Sequence, residues 1–250
     1  MINGINKLKT SFLVLTIIPQ LCFAHAGFAS KDNLDEYSGR DYEEGKTGYF
    51  KLVVPHGCSN ADGSRSYPTR HVVMALPNGV DLSGIAYTKD KNGEVFGGNA
   101  VMGVKPAADG DWRKIKNPKA GVPSYYSHGL RSEDVRSLQW VGGKIPNDFY
   151  KSLEFRAKLP LLDACVTELN VYFPTVQYCK SNTFKAWIRE PVAGLPEDVI
   201  STGYAPNITV RRNLVLNPLP EDCGEEGEVA EAYPDAEDVE AALLKPWRRH

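Results

Sequence analysis

The stretch Tyr49-Phe-Lys-Leu-Val-Val54 is rich in β-branched and aromatic residues, and Pro55 ends it. A run of this composition bounded by proline is typical of a short β-strand. A second run of the same kind, His71-Val-Val-Met-Ala-Leu76, ends at Pro77. Further runs follow at 84–88, 94–96, 100–104, 135–141, 152–158, 168–173, 183–189 and 207–216.

These runs have no helical pattern between them, and Gly, Pro, Asn or Asp bounds each one. Many short strands at fairly regular spacing are typical of an antiparallel β-sandwich. The segment 89–93, Lys-Asp-Lys-Asn-Gly, is predicted to be a hairpin turn. The sequence therefore predicts an all-β fold.

The composition of the chain excludes several classes of protein. The 250 residues are 42% hydrophobic and 24% charged, with 22 glycines and 17 prolines. This balance argues against intrinsic disorder, a coiled coil and a membrane protein with many spans. The formal net charge of −2 provides no overall basic field that would recruit nucleic acid or anionic lipid.

The first residues have the composition of an export signal. Two lysines precede a short apolar run over 12–18, and small residues follow at Ala24 and Ala26. The run is shorter than the ~20 apolar residues of a membrane span, so we expect no membrane insertion after signal removal. Residues 1–24 are thus predicted to be a signal peptide, and the protein to be periplasmic or secreted.

The position of the cut decides whether His25 becomes the N-terminal residue. Cleavage after Ala24 exposes His25, whereas cleavage after Ala26 discards it. The second site matches the small-x-small rule better, but the rule alone leaves both sites open. An N-terminal histidine offers its α-amine and its ring Nδ1 as a chelating pair. Two nitrogen donors of this type suit Cu(II).

The mature chain would contain Cys58, Cys165, Cys179 and Cys223. An even number of cysteines in an exported chain favours disulfides, because the compartment is oxidising. Four cysteines allow three pairings, and their spacing does not choose among them.

Two segments differ in composition from the strand-rich region. Residues 27–46 are polar and acidic and are predicted to be a mobile lead-in. From Pro218 the chain is acidic again, which predicts a tail over 218–250 with one helical stretch at 235–244. The predicted organisation is a sandwich domain over 25–217 followed by this tail.

The sequence contains no phosphate-binding loop, dinucleotide fingerprint, zinc-protease motif or nucleophile elbow. His71 begins an apolar run and is predicted to be structural, and His128 is expected to face solvent in a loop. His56 follows a predicted strand in Pro-His-Gly-Cys, where a structural role is the default interpretation. These observations predict a protein that is not an enzyme.

Five ordered blocks between about residues 45 and 191 resemble the YcnI-like family, domain of unknown function 1775. The blocks are the strand into Val-Pro-His-Gly-Cys at 50–58, the threonine-led strand at 69–80, Val-Lys-Pro to Trp at 104–112, the Trp-Val-Gly-Gly turn at 135–146, and Tyr-Phe-Pro to Cys at 171–179 with a closing Trp-to-Pro element at 186–191. The His-Gly-Cys continuation resembles proteobacterial members.

The resemblance implies an exported, immunoglobulin-like β-sandwich that handles copper outside the cytoplasm. It implies a brace in which His25 chelates Cu(II), a carboxylate completes the plane and Trp187 lies close by, which favours cleavage after Ala24. The family's carboxylate comes from Val-Pro-x-Glu, and that position is Gly57 here. We hypothesise that His56 replaces the carboxylate.

The resemblance also implies a disulfide between Cys58 and Cys179, which leaves Cys165 with Cys223 to attach the tail. The alternative is that Cys58 and His56 form a soft site for Cu(I). The chain departs from the family in an insertion at about 81–100, in the acidic tail, and in the polar segment that follows His25 where members have a strand.

The leading expectation is therefore a copper chaperone, scavenger or delivery factor, whose partners are the copper ion and another periplasmic or membrane copper-transport protein. One alternative is an enzyme similar to copper-dependent polysaccharide monooxygenases, in which His56, His71 or His128 would supply a second histidine. The other alternative is an envelope interaction module that binds no metal.

Overall fold

A computed structural model describes residues 26–29, 41–60, 63–163, 165–189, 202–224 and 226–243. One α-helix, α1 (Ala236–Leu243), lies in these ranges. The strands within them are β1 (Gly27–Phe28), β2 (Asp41–Glu43), β3 (Thr47–Val54), β4 (Cys58–Ser59), β5 (Ser66–Tyr67), β6 (Thr69–Ala75), β7 (Ala86–Lys89), β8 (Val95–Gly97), β9 (Met102–Pro106), β10 (Lys114–Lys116), β11 (Lys119–Tyr126), β12 (Leu130–Val135), β13 (Ser137–Ile145), β14 (Lys151–Lys158), β15 (Leu161–Leu162), β16 (Val166–Tyr172), β17 (Thr175–Cys179), β18 (Phe184–Arg189), β19 (Thr202–Tyr204), β20 (Asn207–Arg211) and β21 (Glu228–Ala232).

Two sheets provide much of the main core. One has the order β1-β3-β14-β9, and the other has the order β10-β13-β6-β17-β18-β19. A further sheet of order β2-β20-β16-β21 also contributes buried residues to this core. Along β3 the side chains of Phe50, Leu52 and Val54 are buried, whereas Tyr49 and Lys51, which alternate with them, are exposed. This alternation gives the strand one face toward the core and one toward solvent, because successive side chains point to opposite faces. The predicted all-β sandwich is confirmed.

An aromatic cluster fills the centre of this core. The rings of Phe50 and Phe155 stack at 5.0 Å between centroids, and Phe28 meets Phe173 edge-on at 5.0 Å. Aromatic pairs at these separations add to the stabilisation from burial. The same buried cluster includes Trp187 from the second sheet.

Strand β6 is buried on both faces, which explains its unbroken apolar run. Val72 and Met74 face the main core, while Val73 and Ala75 belong to a second apolar cluster that contains Leu243 of α1. A strand covered on both sides reads as a continuous apolar stretch rather than an alternating one. Helix α1, which lies within the predicted helical stretch, provides the second cover.

The C-terminal segment is attached to the sandwich over its described residues. Strand β21 pairs in parallel with β16, and the predicted disulfide between Cys165 and Cys223 is present. Asp238 of α1 forms an ion pair with Arg136. The residues predicted to be an acidic tail thus extend a sheet and cover the outer face of β6.

The prediction of a mobile lead-in over 27–46 is wrong at both ends of that segment. Gly27 and Phe28 form β1, are buried, and pair with β3, so a strand does follow His25. Near the other end, β2 pairs with β20, and Glu44 is 3% exposed. Residues 30–40 lie outside the described residues. The burial of the apolar Phe28 side chain stabilises the strand even though the residues around it are polar.

The insertion at 81–100 supplies β7 and β8, which join a sheet of order β12-β11-β8-β7-β15. The turn at 89–93 connects them as predicted, and the Asp90 carboxylate accepts the amide N–H groups of Asn92 and Glu94. Side-chain capping of this kind is why aspartate favours turns. Strand β11 was not predicted, because its Gly121 and Pro123 resemble loop residues.

The predicted run 207–216 is correct only as far as Arg211, where β20 ends. The pairings are also less uniform than predicted, since four of those described are parallel, namely β2 with β20, β8 with β11, β16 with β21, and β18 with β19. Within the described ranges, the structure contains no helix with the length and apolar character that spanning a membrane requires.

Candidate metal-binding site

The loop that leaves β3 carries His56 and is tied to the second sheet by a disulfide. Cys58 bonds to Cys179 at the end of β17, with an S–S distance of 2.06 Å and Cα atoms 6.0 Å apart. The pairing implied by the family resemblance is thereby confirmed. The alternative Cu(I) site of Cys58 with His56 is wrong, because the Cys58 sulfur is committed to the disulfide and is not a thiolate ligand.

Two buried polar side chains fix the backbone at His56. The Gln177 Nε2 group donates to the His56 carbonyl oxygen and to the Thr69 hydroxyl, each at 2.5 Å. Gln177 and Thr69 are both fully buried. Hydrogen bonds in a region shielded from water restrict the loop more strongly than exposed ones do. The backbone of the His56 loop is therefore held in place by a hydrogen-bonded side chain of β17.

The His56 imidazole is neutral, and one of its ring nitrogens has a lone pair that could bind a metal. Its Nδ1 lies 2.5 Å from the Gly57 carbonyl oxygen. A carbonyl oxygen only accepts, so Nδ1 carries the proton and Nε2 keeps its lone pair. Burial lowers the pKa of His56, and the charge of Lys185 lowers it further, against the raising effect of the Gly57 hydrogen bond. Neutral imidazole is the form that binds metals.

Gly57 occupies the position at which the family resemblance implied a carboxylate. A Cβ atom on residue 57 would lie 2.3 Å from the Tyr67 carbonyl oxygen and 3.1 Å from the Tyr67 carbonyl carbon. Both neighbours are backbone atoms, which cannot rotate away as a side chain can. The local packing against β5 thus excludes any side chain at position 57, and the nearest donor is His56.

Trp187 lies on β18, which is antiparallel to β17, with Trp187 opposite Thr175. It is 3% exposed and belongs to the main core. Lys185, two residues earlier, shares the same strand face because side chains alternate along a strand. Lys185 lies opposite Gln177 of β17, and Gln177 donates to the His56 carbonyl oxygen. The backbone of His56 therefore lies near the part of the sheet where β17 pairs with Lys185, two residues before Trp187.

The N-terminal end of β1 points toward this region. Gly27 pairs with Val53 and Phe28 with Leu52 in an antiparallel arrangement. The chain before Gly27 therefore runs toward the Val54 end of β3, from which the His56 loop leaves. Ala26, the first residue described, is 4% exposed and packs in the main core. The predicted ligand His25 lies outside the described residues.

The site contains an acceptor without a partner. The Gln177 Oε1 atom is buried and has no hydrogen-bond partner within the part of the chain that the structure describes. A buried unpaired acceptor costs free energy, about 1–3 kcal/mol. Sequence analysis assigned no role to Gln177, because its contacts depend on the pairing of β17 with β6 and β18.

The other described histidines occupy different settings. His71 Nδ1 accepts the Gly142 amide N–H at 3.1 Å across the β6–β13 pair, consistent with its predicted structural role. His128 adopts a left-handed backbone with φ of 54° beside the turn between β11 and β12, and it is exposed as expected. Among the described residues, no three His, Cys, Asp or Glu side chains are grouped closely enough to hold a metal.

Comparison with known proteins identifies a family whose sequence profile matches this chain. The sequence profile of the family described as "Domain of unknown function (DUF1775)" matches residues 37–209. No curated protein matches the chain at a significant level. A solved structure described as an uncharacterized protein from Nocardia farcinica with an immunoglobulin-like fold is similar at 16% identity and a TM-score of 0.40, covering 68% of this chain and 91% of that one.

Proposed function

The chain belongs to the DUF1775 family, and from this premise we propose that it is an exported copper-binding protein. In this proposal His25 becomes the N-terminal residue and chelates Cu(II) through its α-amine and Nδ1. His56 supplies a further nitrogen, and Trp187 lies beside the ion. The protein would act as a chaperone, scavenger or delivery factor and not as an enzyme.

The burial of β1 is the observation that supports this proposal most. Cleavage after Ala26 would remove a core residue and place a charged ammonium group on Gly27, which is buried. Burying an unpaired charge is costly, so a mature chain that begins at Gly27 would fold less stably than one that begins at His25. Cleavage after Ala24 leaves Ala26 in the core and provides a free amine on His25. The exported chain would then begin with the chelating pair.

The His56 loop supports the second part of the proposal. Nε2 of His56 has the lone pair that a metal requires, and the disulfide and Gln177 restrict where the loop can move. A rigid ligand loses little entropy on binding, which raises affinity. A histidine in place of the carboxylate gives an all-nitrogen donor set, and imidazole suits copper.

Trp187 would shield the ion rather than bind it through a lone pair. The indole nitrogen is a donor only, so the contribution of Trp187 is its apolar surface and the π-face that attracts a cation. The partner that receives copper would be a periplasmic or membrane copper-transport protein, reached after the chain is exported.

Two measurements test the proposal. Intact mass spectrometry of the exported protein should give a chain that begins at His25, and a start at Gly27 would overturn the brace. Protein produced with His25 as its first residue should give a nitrogen-rich Cu(II) spectrum by electron paramagnetic resonance. One glycine added before His25 should abolish that spectrum, since the amine no longer lies on the histidine.

The role of His56 has its own test. His56→Ala should reduce the number of coupled nitrogens by one and weaken copper binding by about tenfold or more, the loss expected for a ligand or its support. His128→Ala is the matched control, since His128 is exposed on a different hairpin, and it should leave the spectrum unchanged. An unchanged spectrum in His56→Ala would reject His56 as a ligand.

A further inference from the structure

A cleft of about 400 Å³ lies between the outer face of the β9–β14 pair and the hairpin of β11 and β12. Its volume falls within the range of small-molecule sites, about 300–1,000 Å³. Five cationic side chains line it, which is unusual in a chain with a formal net charge of −2. They are Lys105, Lys119, Arg131, Arg156 and Lys158.

The five cations come from both walls of the cleft. Lys105, Arg156 and Lys158 lie on the sheet, on β9 and β14, while Lys119 and Arg131 lie on the hairpin. None of the five forms an ion pair with any described residue. Their charge is therefore available to a ligand that enters between the walls.

Two nearby positions on β14 show that the charges in the cleft are not paired as they are elsewhere on the same strand. Glu154 lies opposite Lys51 and forms an ion pair with it at 3.1 Å, an arrangement that stabilises a sheet. Arg156, two residues further, lies opposite Lys105 on β9. Like charges directly opposite each other destabilise a sheet. A bound anion would remove this repulsion and gain from both cations.

The carboxylate of Asp134 lines the cleft but is already satisfied. It accepts hydrogen bonds from the Gly103 amide at 2.7 Å, the Tyr125 hydroxyl at 2.8 Å and the Val135 amide at 2.7 Å. Asp134 is 3% exposed. It fixes the hairpin to β9 and gives the cleft a rigid wall, and together with Glu133 it leaves the lining with an excess of three positive charges. Glu133, exposed at the rim, is the other carboxylate in the lining.

We propose that this cleft binds a small multivalent oxyanion, a phosphate ester or polycarboxylate with at least two anionic groups. Guanidinium groups on opposite walls, Arg131 and Arg156, match the planar geometry of phosphate and carboxylate oxygens. A monovalent anion would leave most of the cations uncompensated, whereas a ligand with two or more charged ends reaches both walls. The site is separate from the proposed copper site.

Calorimetric titration with pyrophosphate and with citrate tests this proposal. Wild-type protein should bind at least one of them, more weakly as salt rises, because salt screens exposed charges. Lys105→Glu and Arg156→Glu should each weaken binding about tenfold or more, which is the loss of one charge-assisted contact. Lys91→Glu changes the net charge equally at an exposed turn outside the cleft and should bind as wild type does.

A stability measurement separates lost binding from lost folding. Without ligand, Lys105→Glu places opposite charges on β9 and β14, so its unfolding midpoint should equal or exceed that of wild type. Absence of binding to both probes, equal binding of inorganic phosphate, or an equal loss in Lys91→Glu would overturn the proposal. Binding to vesicles of anionic phospholipid without binding to pyrophosphate or citrate would also overturn it, since the ligand would then be a membrane surface.

Discussion

At the scale of single residues, the packing at Gly57 limits which side chains the proposed metal site can contain. A Cβ there would meet the backbone of Tyr67 at 2.3 Å, so Gly57→Ala must displace one of the two segments. We expect a loss of about 1–3 kcal/mol in the free energy of unfolding, the range for overpacking. Urea denaturation measures it. Gly110→Ala, where a Cβ meets open space, should stay within about 0.5 kcal/mol of wild type.

Lys185 is a second residue whose effect on the site can be isolated. Burial lowers the pKa of Lys185, and its charge lowers the pKa of His56. A nearby ammonium also repels a metal cation. Lys185→Met should therefore raise the pKa of His56, followed by NMR titration, and tighten copper binding in a competition assay. Lys144→Met, on exposed β13 surface, should change neither, and weaker copper binding in Lys185→Met would contradict the proposed site.

His71 gives the protein a pH-dependent stability. Burial, with the charges of Arg113, Arg70 and Lys116, lowers the pKa of His71 from 6.5 to about 4. The unfolded chain therefore binds the proton more readily, and stability falls as pH drops from 6.5 toward 4. After allowance for solvent screening we expect about 1–2 kcal/mol. His71→Gln should flatten this part of the curve of unfolding free energy against pH, and an unchanged slope would contradict it.

At the scale of elements, each of the ten apolar runs in the sequence overlaps a strand, but the last run extends past the end of β20. Leu214, Val215 and Leu216 continue an apolar pattern, yet all three are exposed, with Val215 at 89%. Asn213 redirects the chain, because its side-chain oxygen accepts the amide N–H groups of Val215 and Leu216. Sequence composition did not reveal that the strand ends here, because the residue that anchors the turn, Glu44, is 169 positions away from Asn213 in the chain.

Glu44 is the distant residue that anchors this turn, and it yields an element-scale prediction. Its buried carboxylate accepts the Leu162 amide at 2.6 Å, the Asn213 amide at 2.9 Å and Asn217 Nδ2 at 3.0 Å. Glu44→Ala should leave these donors unpaired and reduce the free energy of unfolding by about 2–4 kcal/mol. Glu43→Ala, at the exposed neighbour, should cost less than about 1 kcal/mol. Equal losses in urea denaturation would exclude an anchoring role.

At the scale of the whole molecule, sequence analysis located the sandwich, both disulfides and the His56 loop. It did not locate the acceptor of Gln177 or the conflict at Gly57, because each depends on which strands become neighbours. The cationic cleft was equally hidden, since Lys105 and Arg156 are far apart in the chain and come to lie opposite each other only when β9 pairs with β14. A count of charged residues gives the net charge of the chain, but it does not show where the charged side chains lie on the surface.

Removing each disulfide in turn should distinguish an effect on global stability from an effect on the proposed copper site. They close loops with sequence separations of 121 and 58 residues. Loop-closure entropy predicts that removing either costs about 4–5 kcal/mol, with a small excess for the longer loop. The paired replacement of Cys165 and Cys223 by serine should lower the urea midpoint yet keep copper affinity in the folded protein. The same replacement of Cys58 and Cys179 should lower both, because Cys58 holds the loop of His56. Unaltered copper affinity in the second variant, measured where it is folded, would show that this loop does not need its covalent tie to bind the metal.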